Sequence, residues 1–109
     1  MQATQSDLPM PVSRALKKFG DDIRIARLKR GLTIEMMCER TKVHRETYRK
    51  VEHGHPGVGL GVYAAALYAL GFGTIFDALI DQSRDETGLL LDKERIPKRI
   101  RPKKEPQGL

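Results

Sequence analysis

From residue 13 onward, Leu16, Phe19, Ile23 and Ala26 recur at the three-and-four spacing that gathers side chains on one side of an α-helix, with Lys17, Lys18, Arg24 and Lys29 between them. The pattern predicts an amphipathic first helix that stops at Gly31, a residue suited to the left-handed position beyond a helix end. Thr33 is a good N-cap, and Glu35 sits in the first turn that follows, where the helix dipole favours an acid. With Met37, Thr41 and Val43 turned inward, residues 33–41 are expected to form a short second helix. Tyr48 and Val51 mark the inner side of a third helix, from about residue 44 to 53 and stopped by Gly54, whose outer side is almost wholly charged.

Pro56, Gly57, Gly59 and Gly61 make residues 55–61 a loop, and the apolar run 62–70 before Gly71 predicts a buried fourth helix. A fifth is expected after Gly73, with Ile75, Phe76, Leu79 and Ile80 on one side. Residues 1–12 are polar, contain Pro9 and Pro11 and have no apolar period, which predicts a disordered leader. Beyond Gln82 the character changes again. Between residues 93 and 104 seven basic residues stand against Glu94 alone, and Pro97, Pro102 and Pro106 preclude a long helix. The expected organisation is all-α: five short helices over residues 13–81, with a basic, largely disordered tail over 82–109.

At 109 residues and 39% hydrophobic content, this is one small domain with flanking segments, and a second copy of the chain would add needed interface. The single Cys38 cannot form an intrachain disulfide. The longest apolar run is far short of the roughly 20 residues of a membrane-spanning helix, and the first residues lack the layout of a signal peptide. The expected compartment is the cytoplasm, with no membrane partner. A formal charge of +6 favours a polyanion, most often nucleic acid.

No nucleophile, base and orienting acid stand together, and neither a phosphate-cradling glycine loop nor a dinucleotide fingerprint is present. His44, His53 and His55 have no carboxylate or Cys pairing that completes a metal site. The expectation is therefore no enzyme, no metal and no cofactor.

Two short helices joined by a tight turn, the second apolar inside and charged outside, can deliver a helix into the DNA major groove. Residues 33–54 read Thr-Ile-Glu-Met-Met-Cys-Glu-Arg-Thr-Lys-Val-His-Arg-Glu-Thr-Tyr-Arg-Lys-Val-Glu-His-Gly, which resembles the helix-turn-helix of the phage lambda and 434 repressor and Cro family without a gap. The likeness extends over roughly residues 19–80 and implies a lambda-repressor-like DNA-binding domain. It implies that His44, Arg45, Glu46 and Lys50 face bases, and that Arg24, Lys29, Thr33, Lys42, Thr47 and Arg49 face the phosphate backbone. The residue types suit this: Arg or Lys can donate to guanine O6 and N7, and Glu can accept from cytosine N4. Nine basic residues against three acidic ones between residues 24 and 50 also favour a phosphate-facing side.

By the same resemblance Cys38 is a small spacer in the first motif helix, and Arg27 and Glu52 form a partly buried ion pair. The chain departs from the family at three positions. Lys42 stands where the turn usually has Gly, Ile34 where Gln is common, and His44 where Ser or Thr usually caps.

The face made by Ile75, Phe76, Leu79 and Ile80 exceeds what five short helices need inside, and part of it is expected to close a homodimer on a near-palindromic operator. Residues 88–92, Gly-Leu-Leu-Leu-Asp, and 95–99, Arg-Ile-Pro-Lys-Arg, resemble tails of HipB-like antitoxins of HipA-type kinase toxins. That likeness implies a repressor of its own operon, in which Leu89, Leu90 and Leu91 form a short dimer or partner strand. Arg95, Lys98, Arg99 and Arg101 would grip toxin or DNA. The alternatives are a stand-alone phage-type or cellular regulator, and a structural adaptor that uses only its basic tail.

Overall fold

The computed structural model describes residues 7–91, and every regular element among them is helical. They fall into two units, residues 7–76 and residues 77–91. The first unit contains α1 (Met10–Lys29), α2 (Ile34–Thr41), α3 (Arg45–Glu52) and α4 (Leu60–Ala69). Helix α1 begins inside the stretch expected to be leader, because Pro11 lies in its first turn, where a missing N–H is harmless and a fixed φ is already helical.

Local chemistry sets the boundaries. Beyond α1, Leu32 N–H donates to Arg27 O at 3.1 Å and Gly31 N–H to Leu28 O at 3.0 Å, a closure that needs the positive φ of 67° at Gly31. The same closure ends α3 at Gly54 and α4 at Gly71. Thr33 Oγ1 accepts the Met36 N–H at 3.1 Å and caps α2. At the start of α3 the N-cap His44 makes no side-chain capping bond, as a ring in place of a hydroxyl would predict.

Ile23, Met37, Tyr48, Val51, Tyr63, Ala66, Leu67 and Leu70 form the core, so α1, α2, α3 and α4 each send at least one side chain inward. Phe19 and Tyr63 join α1 to α4 with ring centroids 5.5 Å apart. Cys38 is half-buried against this cluster. Helix α4 starts at Leu60 rather than Val62 and is buried on one side only, with Leu60 and Tyr68 exposed.

The expected fifth helix is shorter and differently placed. Residues Ile75–Ala78 make a single 3-10 turn, and of its apolar side chains only Phe76 packs on the core, leaving Ile75 exposed. In the second unit Leu79 and Ile80 are also exposed. Asp81 Oδ1 accepts from Ser83 N–H at 2.9 Å and from Ser83 Oγ at 2.6 Å, and such side-chain bonds to the local backbone compete with helix continuation. A short 3-10 turn, Gln82–Arg84, leads to α5 (Glu86–Leu89), a single α-turn started by Asp85, whose Oδ1 accepts the Gly88 N–H at 2.9 Å. Leu89 therefore ends a helical turn that Leu90 and Leu91 follow, none of the three lies in a strand, and all three are exposed. Arg95, Lys98, Arg99 and Arg101 lie outside the described residues.

Candidate nucleic-acid interface

Helix α3 presents two chemically distinct sides because its eight residues place only Tyr48 and Val51 inward. His44, Arg45, Glu46, Arg49 and Lys50 are exposed, and Thr47 is half-buried. The turn before α3 requires φ 61° and ψ 32° at Lys42, the only non-glycine residue with positive φ among the described residues. A side chain in this left-handed region clashes with its own backbone at roughly 1–2 kcal/mol, so the turn is strained where glycine would relax it.

A buried polar network sets the angle of α3. Arg27 Nε donates to Glu52 Oε2 at 2.6 Å and Arg27 Nη2 to Glu52 Oε1 at 3.1 Å, so α1 grips the last residue of α3 with a two-point fork. A third donor, Arg27 Nη1, reaches Leu32 O at 2.9 Å. Tyr48 Oη, one turn before Glu52, donates to Glu52 Oε2 at 2.5 Å. Burial first, and then the bond to the Glu52 carboxylate, pushes the Tyr48 phenol well above its ordinary range. The Glu52 bond likewise raises Arg27. Both acceptor oxygens of Glu52 are thus occupied inside the protein, which is what a buried charge requires.

Backbone contact completes the joint. A Cβ on Gly20, in the middle of α1, would lie 2.4 Å from Gly54 N, 2.7 Å from Val51 O and 2.8 Å from Glu52 O. Gly20 therefore lets α1 touch the backbone at the end of α3, a role the apolar period does not reveal. A glycine interrupting a helical pattern is the available sequence signal of such an approach.

Next to this joint lies an open cleft of about 290 Å³ lined by Asp21, Arg24, Arg27, Ile34, Arg49, Glu52 and His53. It brings Arg24 and Arg49 to one place, whereas Lys29 and Lys42 do not line it. Arg24 is held by Asp21, with Nη2 3.1 Å from Oδ1. His53 Nδ1 lies 2.7 Å from Arg49 O, and His55 Nδ1 accepts the Gly57 N–H at 2.8 Å. Tyr63 Oη donates to His55 O at 2.7 Å, pinning the loop after α3 to α4.

Arg45 and Glu46 open α3, and Arg45 Nη1 donates to the Glu35 carboxylate in the first turn of α2. Residue 35 stands out in the sequence only as a helix-start acid, since nothing local reveals that it meets residue 45.

A family model described as a helix-turn-helix domain matches residues 18–81, more than half of the chain. The chain belongs to this helix-turn-helix family, whose geometry is that of DNA-binding transcription regulators. Neither the curated proteins nor the solved structures compared with it gave a match. Among the described residues no helix is long and apolar enough to cross a membrane.

Proposed function

We propose that the chain is a sequence-specific DNA-binding transcription regulator that lays α3 in the major groove. The observation that carries this reading is the division of α3: Tyr48 and Val51 are buried, Glu52 is locked to Arg27, and His44, Arg45, Glu46, Arg49 and Lys50 stand exposed. In this reading His44, Arg45, Glu46 and Lys50 meet bases. Arg24, Lys29, Thr33, Lys42, Thr47 and Arg49 meet sugar-phosphate oxygens and set the register. The test is selection of DNA fragments from a random pool by the purified protein at moderate salt. Enrichment of one motif supports the reading, and an unenriched pool defeats it.

The finer reading is a lambda- and 434-like repressor acting as a homodimer on a near-palindromic operator. Its support is the motif likeness of residues 33–54 and the exposure of apolar side chains in each unit, Ile75 in the first and Leu79 and Ile80 in the second, which a second copy would cover. Phe76 is spent largely on the core. Two-fold symmetry in the enriched motif and a sedimentation mass of two chains test it.

Partnership with a HipA-type kinase toxin rests on the likeness of residues 88–99 to HipB-like tails and on the basic run from residue 93 to 104. Truncation after Gln82 is expected to abolish toxin binding while operator recognition persists. Retained toxin binding would remove this role and leave a stand-alone regulator.

A further inference from the structure

Two exposed groups of opposite charge are joined across the motif. Glu35 is the second residue of α2 and Arg45 the first of α3, and Arg45 Nη1 donates to Glu35 Oε1 with 54% and 66% of the two side chains exposed. An ion pair this open adds little to folding stability. Its larger effect falls on Arg45, a long side chain with many rotamers that is here tied to one place. The guanidinium engages Glu35 through Nη1, which leaves the Nε and Nη2 side of the fork to meet two further acceptors.

Guanine offers such a pair in the major groove, N7 and O6. Phosphate is attracted mainly by net charge, and an arginine paired with a carboxylate has little net charge to offer it. The pair thus keeps directional hydrogen bonding while cancelling the non-directional pull. Glu35 is suited to the task, because its own first-turn N–H and then Arg45 hold its carboxyl below the usual carboxylate range, so it stays ionised at neutral pH.

Building on the proposed DNA-binding function, we propose that Glu35 is a specificity-determining residue that positions the Arg45 guanidinium for a guanine and weakens its hold on phosphate. Glu35 touches no base in this account and acts through Arg45.

The test uses the full-length protein, its Glu35→Gln and Arg45→Ala variants and the double variant. The probes are the duplex enriched by the wild type, the same duplex with its Arg45-dependent G·C pair replaced, and a random duplex. Glu35→Gln should bind random duplex more tightly, steepen its salt dependence by about one charge, and lose about tenfold in discrimination at that G·C pair. Its Tm should match the wild type, which separates the effect from unfolding. In the Arg45→Ala background the substitution should leave discrimination unchanged. Full discrimination retained by Glu35→Gln in a wild type that selects DNA would overturn the inference and spare the DNA-binding reading. An equal loss with and without Arg45 would also overturn it, since Glu35 would then act on bases itself. A wild type that prefers no duplex would bring down both.

Discussion

Gly20 and Gly54 meet backbone to backbone where α1 crosses the end of α3, so close that a methyl group on Gly20 would stand 2.4 Å from the Gly54 nitrogen. Gly20→Ala is expected to destabilise the protein by about 2 kcal/mol or more, because every obstructing atom is main chain and cannot rotate away. In an ordinary helix interior the same change stabilises by up to about 1 kcal/mol. The sign of the shift in Tm checks this, and a rise would show that the two helices can part freely.

The Arg27–Glu52 pair should be worth less than the harm done by halving it. Glu52→Gln or Arg27→Met alone is expected to cost about 3 kcal/mol by stranding a desolvated charge, and joint replacement by apolar residues appreciably less than the sum. Denaturant unfolding of the two singles and the double measures the coupling. Strict additivity would mean that the two charges are effectively solvated.

Alkaline stability should report on Tyr48. Its phenol is raised above the ordinary 10.0 by burial and by the Glu52 bond, so the folded chain keeps a proton that the unfolded chain releases. This contribution is complete below pH 10 and is lost as pH rises toward the folded value. Tyr63, raised by burial, acts in the same direction. Tyr48→Phe should lower stability near pH 7 by about 1 kcal/mol through loss of a hydrogen bond to Glu52, yet decline less steeply above pH 10. Parallel slopes in a pH series of unfolding curves would contradict the assignment.

Lys42 carries two opposed effects. Lys42→Gly should relieve the left-handed strain and stabilise by about 0.5–1 kcal/mol after allowing for the freer unfolded chain. The same variant should bind every duplex more weakly and reduce the salt slope by about one. Thermal melting and salt-dependent binding read the two effects separately, and a lower Tm would refute the first.

Arg45→Ala should differ in kind. A reader of bases loses about 1–3 kcal/mol on the preferred duplex and relaxes one base position, whereas Lys42→Ala weakens preferred and random duplexes alike. Equal small effects of both changes on both duplexes would remove Arg45 from the base-reading set.

The first four helices were legible because their signals are local. Apolar side chains at Phe19, Ile23, Met37, Tyr48 and Val51 follow the helical period, Thr33 caps, and Gly31, Gly54 and Gly71 stop their helices. The fifth is shorter than its local pattern predicts. Ile75, Phe76, Leu79 and Ile80 make an acceptable apolar stripe, but only Phe76 reaches a core, and the bonds of Asp81 to Ser83 turn the chain before a helix can propagate. The expected leader gives way to α1 at Met10 for a related reason: Pro11 reads as a breaker in isolation and acts as a helix starter once α1 follows it.

What the chain determines by itself is whatever depends on neighbours within about one turn: helical periods, caps, stops and the charged outer side of α3. Tertiary packing alone decides which distant charges meet. Arg27 and Glu52 lie 25 positions apart, a pair expected only through the family likeness, and Glu35 and Arg45 ten, a pair not expected at all, so each contact exists only once the helices have crossed at their particular angles. Gly20 belongs to the same class, since its missing side chain matters only when the end of α3 arrives beside it. Short-range hydrogen bonding and burial set the first group, while the second depends on distances between elements that no local pattern encodes.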